Sequence, residues 1–430
     1  MREMKDSGVE WIGEIPVEWK CSKIKHHFKI GSGTTPKSDI PSYWDGDIVW
    51  ITPADFKTDD VYVSEGHRNL TQEGFESSNL EIIPAGNIIF SKRAPIGQVV
   101  INSVDLCTNQ GCLTAVPLDK SNVKYYRYAM SVATNQFELA GSGTTFNEIS
   151  ATAFGNFILP SPNVSEQNKI TEYLDRKCSS IDSVIMKQQV LIEKLKEYKL
   201  SIITEKVSNG LNPCVSTKHS GNEFIGNIPS HWKCLKIKNV SIAVTDGAHV
   251  SPETENGVYD FISTVNVEQD HIDFDNCLKT TESSYQYLVS TGCRPLSGDV
   301  LISKDGSVGR TAIVNTDRDF VVSSSLVIIR PKIEMITSEF LNFNLQSAFV
   351  QETLLMLMHG AGLRRVSVNK NANLPVLLPP IEEQKDIVKY LEKKCSDIEK
   401  DITKRRTIVE DLFMYKKSII FEVVTGKKEI

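Results

Sequence analysis

The residues of this 430-residue chain best equipped for chemistry gather in glycine-bounded loops. What they offer is hydrogen bonding. Ser32, Thr34 and Thr35 lie in GSGTTP, Lys92 and Arg93 in SKRAPIG, and Thr144, Thr145 and Asn147 in GSGTTFN. A second set follows: Asp246, His249 and Ser251 in TDGAHVSP, Lys304 and Arg310 in SKDGSVGR, and Arg364, Arg365 and Ser367 in GAGLRRVS. Such side chains donate and accept at polar edges, while Lys, Arg and the N–H groups of glycine turns suit anionic oxygens. The bland alternative is turn glycines with solvated neighbours.

Bond-making chemistry finds no support. No GxxxxGK[ST] phosphate loop, HExxH pair or [DNS]PP[YFW] segment occurs. GSGTTP and GSGTTF lack the strand-GxGxxG-helix setting of a dinucleotide or S-adenosylmethionine site. Glu18, Trp19 and Lys20 resemble the E-x-K of nucleases, yet the second copy of that segment reads His231, Trp232, Lys233. A catalytic carboxylate would not be exchanged there.

That second copy belongs to a repeat running through the whole chain. SGVEWIGEIPVEWKCSKIK from Ser7 returns as SGNEFIGNIPSHWKCLKIK from Ser220, an offset of 213. AGNIIFSKRAPIGQ from Ala85 matches SGDVLISKDGSVGR from Ser297, aligning Lys92 with Lys304. SEQNKITEYLDRKCSSID from Ser165 matches EEQKDIVKYLEKKCSDIE from Glu382. Each half is therefore one mixed domain followed by one long helix.

The β-rich runs 48–56, 87–94, 98–104 and 112–118 predict strands, 123–141 a helix, and 156–162 a strand that leads into the long helix, with Ser165 as its cap. The second half repeats this order, with 338–360 as the helix. In the long helices Leu174, Ile181, Gln188, Leu195 and Ile202, and again Leu391, Ile398, Arg405, Leu412 and Ile419, recur every seven residues. Ile170, Lys177, Val184, Leu191 and Tyr198, and Ile387, Lys394, Asp401, Ile408 and Tyr415, are expected to complete the two stripes. Helices of about 40 residues span about 60 Å, a length suited to spacers that bury their stripes against each other. The polar positions Lys177, Gln188, Lys394 and Arg405 would fix register or mark a docking place. Trp11, Trp19 and Trp232 read as packing anchors, with base stacking the alternative. His26 and His27 extend a basic patch or form a solvated edge.

Composition sets the remaining bounds. Forty per cent hydrophobic residues suffice for real cores, and the length allows roughly three domains. No run of 18 apolar residues and no leader-like start occur, so a cytoplasmic protein without membrane contact is expected. Nine cysteines without a CxxC pair read as reduced thiols. A net charge of −6 argues against a free-standing nucleic-acid binder, so a local basic face or a basic partner would have to supply attraction.

The doubled layout, the W-IG-IP--W opening, the S-K---IG loops and the LPP--EQ-I--YL helix start resemble the specificity subunit of type I restriction-modification systems over essentially the whole chain. That resemblance implies an α+β fold: target-recognition domains at 1–160 and 213–378, and spacer helices at 161–212 and 379–430 that pair as an antiparallel coiled coil. It further implies a bacterial or archaeal, nucleoid-associated protein without catalytic residues or a cofactor of its own. S-adenosylmethionine, ATP and Mg would sit on partners: two methyltransferase subunits per chain, and restriction subunits in the full complex. The loop residues above become candidate contacts to double-stranded DNA, each domain reading half of an asymmetric bipartite site. About 60 Å of helix caps the separation of the contacts at roughly 18 base pairs. An enzyme acting alone and an adaptor that never touches DNA are the competing readings.

Overall fold

Two-residue alternation sets the layers of the first domain. Ile88 and Phe90 face one core and Ile89 between them another, and Val99 and Val100 divide likewise. A sheet buried on both faces needs cover on both. The computed structural model describes residues 2–57, 61–141, 147–358 and 365–430, and the chain divides into two units, Met1–Gln188 with Thr407–Ile430, and Gln189–Arg406.

In the first unit the larger sheet has the order Phe28–Ser32, Cys112–Pro117, Ile88–Ser91, Val99–Asn102, Tyr62–Val63. Helices carrying Tyr125, Phe137 and Phe154 cover one face. A small sheet, Cys107–Thr108, Trp44–Ile51 and Arg68–Leu70, lies at the other through Ile51, Leu106 and Cys112. The second unit repeats the plan with Ser241–Asp246, Leu326–Pro331, Val300–Ser303 and Thr311–Ile313 in the larger sheet. Its small sheet is Leu278–Thr280, Tyr259–Ile262 and Phe320–Val322. Val300 and Ile302 face the helices while Leu301 faces away from them. The small sheets share even their mixed pairing, one neighbour parallel and one antiparallel.

Several local expectations need correction. The helix expected over 123–141 is two, Val123–Ser131 and Thr134–Ala140, and that over 338–360 is Ser338–Gln346 and Ala348–Leu357. At the second break Ser347 is extended and its hydroxyl donates to Asn344 O at 2.5 Å, so the side chain replaces a helical donor. The first long helix, Val164–Asn209, is capped by Asn163, whose Oδ1 accepts from Glu166 N at 3.0 Å; Ser165 lies inside it. The second long helix is Ile381–Val424.

Each long helix is fastened to its domain by the Glu-Gln pair in its first turn. Gln167 accepts from Asn122 N at 2.8 Å and donates to Pro162 O at 2.9 Å. Gln384, fully buried, accepts from Thr337 N at 3.0 Å and donates to Met335 O at 2.8 Å and Pro379 O at 2.9 Å. The neighbouring glutamates hold the buried tryptophans: Glu166 accepts from Trp19 Nε1 at 2.8 Å and Glu383 from Trp232 Nε1 at 3.1 Å. Trp11 packs on Phe157 and Phe421.

Within each unit the long helices pack together. In the first, Ile170, Leu174, Cys178, Ile181 and Ile185 share a core with Ile419, Ile420, Val423 and Val424. The Tyr125 hydroxyl reaches both Pro160 O, just before the first helix, at 3.0 Å and Val424 O, at the end of the second, at 3.1 Å. The start of one helix therefore meets the end of the other, and the pairing is antiparallel. In the second unit Ile192, Ile202, Ile203 and Val207 share a core with Ile387, Val388, Leu391, Cys395, Ile398 and Ile402. Arg406 lies in a groove beside 189–197 while Glu399 meets Lys199 at 2.9 Å, again antiparallel. Buried Ile and Leu side chains contribute about 1.5–3 kcal/mol each, whereas a half-exposed ion pair gives about 0.2–1. Adhesion thus comes from the apolar seam, and the ion pairs mark direction.

The seam's second stripe differs from expectation. Lys177, Val184, Leu191 and Tyr198 are exposed, as are Lys394, Asp401 and Tyr415. Their places are taken by Cys178, Ile185, Ile192 and Lys199, and by Cys395, Ile402, Val409 and Lys416, four residues after each seam position instead of four before. Both phases share the seven-residue period, and each carries some apolar side chains. Gln188 and Arg405 are half-buried. No helix among the described residues is long and apolar enough to cross a membrane.

Removing the Gln384 amide strands buried backbone groups on two segments. Gln384→Ala should lower the unfolding free energy by roughly 3 kcal/mol, and Lys394→Ala on the outer face should change it by less than about 0.5, both read by urea denaturation.

Candidate nucleic-acid interface

The glycine loops converge because backbone carbonyls come close enough to exclude side chains. A Cβ on Gly33 would stand 1.8 Å from Thr108 O, and one on Gly247 2.0 Å from Val322 O. Only glycine fits, and the next residue profits: Thr34 N donates to Thr108 O at 3.0 Å, and Ala248 N to Val322 O at 2.8 Å.

The rest of each hub follows the same wiring. In the first unit Asn109 N donates to Ile51 O at 2.9 Å, Lys92 N to Gly111 O at 3.0 Å, and Ile149 N to Lys92 O at 3.1 Å. In the second, Ser323 N donates to Ile262 O at 2.8 Å, Lys304 N to Ser325 O at 2.9 Å, and Val366 N to Lys304 O at 2.9 Å. The Ser-Lys segment is the centre of both hubs, held by backbone bonds to two other loops.

Side chains on this shared frame differ. Thr35 donates to Gln110 Oε1, and Trp50 Nε1 donates to Thr34 O at 3.1 Å. Lys92 pairs with Glu148 at 2.8 Å, with Arg93 3.6 Å from the same carboxylate. Asn147 donates to Glu138 O at 3.0 Å, and Ser32 at the end of its strand is exposed. In the second unit Lys304 is only 3% exposed and pairs with Asp246 at 2.5 Å, a carboxylate that also receives His249 at 2.9 Å. Lys304, a candidate DNA contact in the sequence, is thereby paired inside the fold. Arg365 is exposed and pairs with Asp305 at 3.0 Å, and Ser251 is exposed.

Two further candidates have partners within the fold: Ser367 caps the short helix Val368–Ala372, and the Arg310 guanidinium lies 3.5 Å from Val267 O. Thr144, Thr145 and Arg364 lie outside the described residues. Of the two histidines, His26 is exposed, while His27 is tied to Asp119 at 3.0 Å and to Ser121 at 3.1 Å.

Sequence reasoning missed Asn109 and Gln110 in one hub and Ser323, Ser324 and Ser325 in the other, the segments that bond to both the glycine loop and the Ser-Lys loop. The turn signal NQG was legible; the equivalence of NQG and SSS was not, because they share no residue. It also missed the turns that end at Asp55 and Asn266. Asp55 Oδ2 accepts from Thr52 N at 2.7 Å and Thr52 Oγ1 at 2.8 Å, and Oδ1 accepts from His67 N at 2.9 Å. In the second unit Asn266 Oδ1 accepts from Ser263 N and Oγ, each at 3.1 Å.

As chemistry, these hubs offer donors and acceptors. Among the described residues no three His, Cys, Asp or Glu side chains are placed to hold a metal ion. Burial pushes the Cys107 and Cys395 thiols up to about 11, which makes them poor nucleophiles.

The Asp55 carboxyl lies below its ordinary value: burial opposes its charge, but the hydrogen bonds from His67 and Thr52 outweigh that. Its stabilising contribution is therefore complete above the unfolded value of about 4 and is lost as pH falls through the lower folded value. Asp55→Asn keeps the turn's geometry, as Asn266 does in the other hub. It should flatten the acid limb of the unfolding midpoint between pH 5 and pH 2, measured against the unaltered chain.

Comparison with known proteins supplies the family. A family described as the type I restriction modification DNA specificity domain matches residues 16–202 and 229–406. The type I restriction enzyme MjaIX specificity subunit of Methanocaldococcus jannaschii is 36% identical over 190 residues, 43% of each chain. The EcoBI specificity subunit of Escherichia coli is 23% identical over 319 residues, 71% of this chain and 66% of that one. The chain thus aligns with less than two thirds of the length of either relative. The M. jannaschii MjaVIII specificity subunit is 22% identical over 96% of this chain and 93% of its own. A solved chain, from a study of complex assembly and conformational transition in the type I R-M system, superposes with a TM-score of 0.70 at 15% identity, covering 96% of this chain and 99% of that one. With two matched segments that take in both domains and most of both long helices, this chain belongs to the type I restriction-modification DNA specificity family, and the relatives it matches are named specificity subunits.

Proposed function

We propose that the chain is the address-reading subunit of a type I restriction-modification complex, with its two loop hubs reading the two halves of an asymmetric bipartite DNA site. The observation that carries this is one frame built twice with different side chains on it: Thr35, Gln110, Arg93 and Glu148 in one hub stand where His249, Ser324, Asp305 and the Arg365 loop stand in the other. A shared scaffold with divergent polar groups is what two readers of two sequences require. Residues 1–160 and 213–378 are the reading domains in this proposal, and 161–212 and 379–430 the spacers. Helices of 46 and 44 residues would govern how many base pairs separate the half-sites.

Methyltransferase subunits, two per chain, would dock on the helix faces left outside the seam, with restriction subunits joining through them. Leu191 and Tyr198, two turns apart on one face of the first long helix, keep 39 and 56% of their surface exposed, an apolar pair apt for a partner. The reacting cofactors would belong to those partners.

Copurification with the methyltransferase, followed by sequencing of methylated adenines in the host genome, tests the whole reading. A bipartite motif with a fixed gap is expected, and it should vanish when this chain is deleted. Exchanging 26–155 for the corresponding stretch of a relative should alter one half of the motif only. A motif unchanged by that exchange refutes the assignment of halves, and cutting or methylation by the chain alone would favour a self-sufficient enzyme.

Leu191→Asp combined with Tyr198→Asp should cut methyltransferase copurification at least tenfold with an unchanged melting temperature, since neither side chain is in the core.

A further inference from the structure

One short turn stands in both hubs and remains unassigned by the reading above. It is the single 3₁₀ turn Thr264–Asn266, preceded by Ser263, and its counterpart Pro53–Asp55, preceded by Thr52. In the second unit Thr264 is 9% and Asn266 4% exposed, while Val265 between them is 82% exposed. A β-branched hydrocarbon is held out in water with its neighbours buried.

The turn cannot relieve this by rotating. Ser263 and Asn266 close it from both ends, and Asn266 Nδ2 donates to Asn276 O at 3.2 Å. Thr264 is bonded twice to the hub, its N donating to Ser325 Oγ at 3.1 Å and its hydroxyl to Ser325 O at 3.2 Å. Ser325 O also accepts from Lys304 N, so the valine rides on the centre of the interface. Its own χ1 is stiff because two carbons branch at Cβ. In the first unit the same outward place belongs to Ala54, exposed, with a single methyl group.

A fixed hydrocarbon knob among hydrogen-bonding loops suits a ligand whose surface sets one hydrocarbon spot among donors and acceptors. Phosphates and sugars do not offer that pattern to a major-groove reader, whereas the 5-methyl group of a pyrimidine does. Side chains that wedge between base steps are as a rule larger than valine. We propose that Val265 reads the 5-methyl group of a pyrimidine, thymine in the first instance, in the half-site of the second domain, and that Ala54 is the shorter equivalent in the first. This rests on the proposed DNA-reading role of the same hub.

The test uses the assembled complex and its mapped motif. Duplexes carrying that motif are made with each thymine of the half-site replaced singly by deoxyuridine, and each cytosine by 5-methylcytosine. With the wild-type chain one thymine-to-uracil replacement should weaken binding about fourfold, the worth of one buried methyl group. Val265→Ala should weaken binding to the thymine duplex by a similar factor and be indifferent to uracil at that position. A gain on cytosine methylation that Val265→Ala abolishes would support the same chemistry with methylcytosine as its source. The proposal is overturned if every uracil and methylcytosine is tolerated without change. It is equally overturned if Val265→Ala loses affinity alike for thymine and uracil duplexes, or retains full affinity and an unchanged methylation motif. A wild-type complex that binds no duplex and leaves no motif would instead defeat the DNA-reading role itself.

Discussion

The buried glutamine amides at the starts of the long helices are the joints on which each unit depends. Gln384 ties three backbone groups from two segments into the first turn of its helix, and Gln167 does the same work with two. An amide in an apolar interior is stabilising only when both its ends are satisfied, so the geometry it accepts is narrow. The direction of each helix is thereby set against the larger sheet of its own domain. From that sheet the hub loops extend, and their positions inherit the same precision.

Precision of that kind would serve the proposed reading, because a hydrogen bond to a base edge depends on both distance and angle. Neither hub relies on regular ladders at its centre. Both rely on carbonyls brought against glycines and on side chains that imitate backbone, as Asp55, Asn266 and Ser325 do. Such irregular frames keep the main chain fixed while leaving the outward side chains free to differ, so one domain can carry Gln110 at the position where the other carries Ser324 without disturbing the wiring.

Much of this was legible beforehand, for reasons that separate cleanly. The repeat, the strand order and the seven-residue seam are periodic signals, and Leu174 through Ile202 and Leu391 through Ile419 carry them locally. The second stripe failed because two phases share one period. The choice between Lys394 and Cys395, or Asp401 and Ile402, rested on apolar content that the sequence did display. The helix break at Ser347 was hidden because Asn342, Asn344 and Gln346 are buried polar residues that blur the periodicity. The hub was hardest, since Lys92 to Gly111 and Ile149 to Lys92 are long-range backbone bonds that leave no trace in residue type. NQG and SSS then gave no repeat to follow.

The internal pairing of the repeated lysines bears on how strongly such a protein can hold a polyanion. Affinity for a duplex grows with the number of phosphates neutralised and counterions set free. With Lys304 spent on Asp246 and Lys92 on Glu148, on a chain of net charge −6, these two repeated lysines would add little to that salt-sensitive term in the proposed role. Under the proposed reading, the lysine at the centre of each hub would serve to hold the loops in shape, and the salt-sensitive part of binding would have to come from other basic groups or other chains.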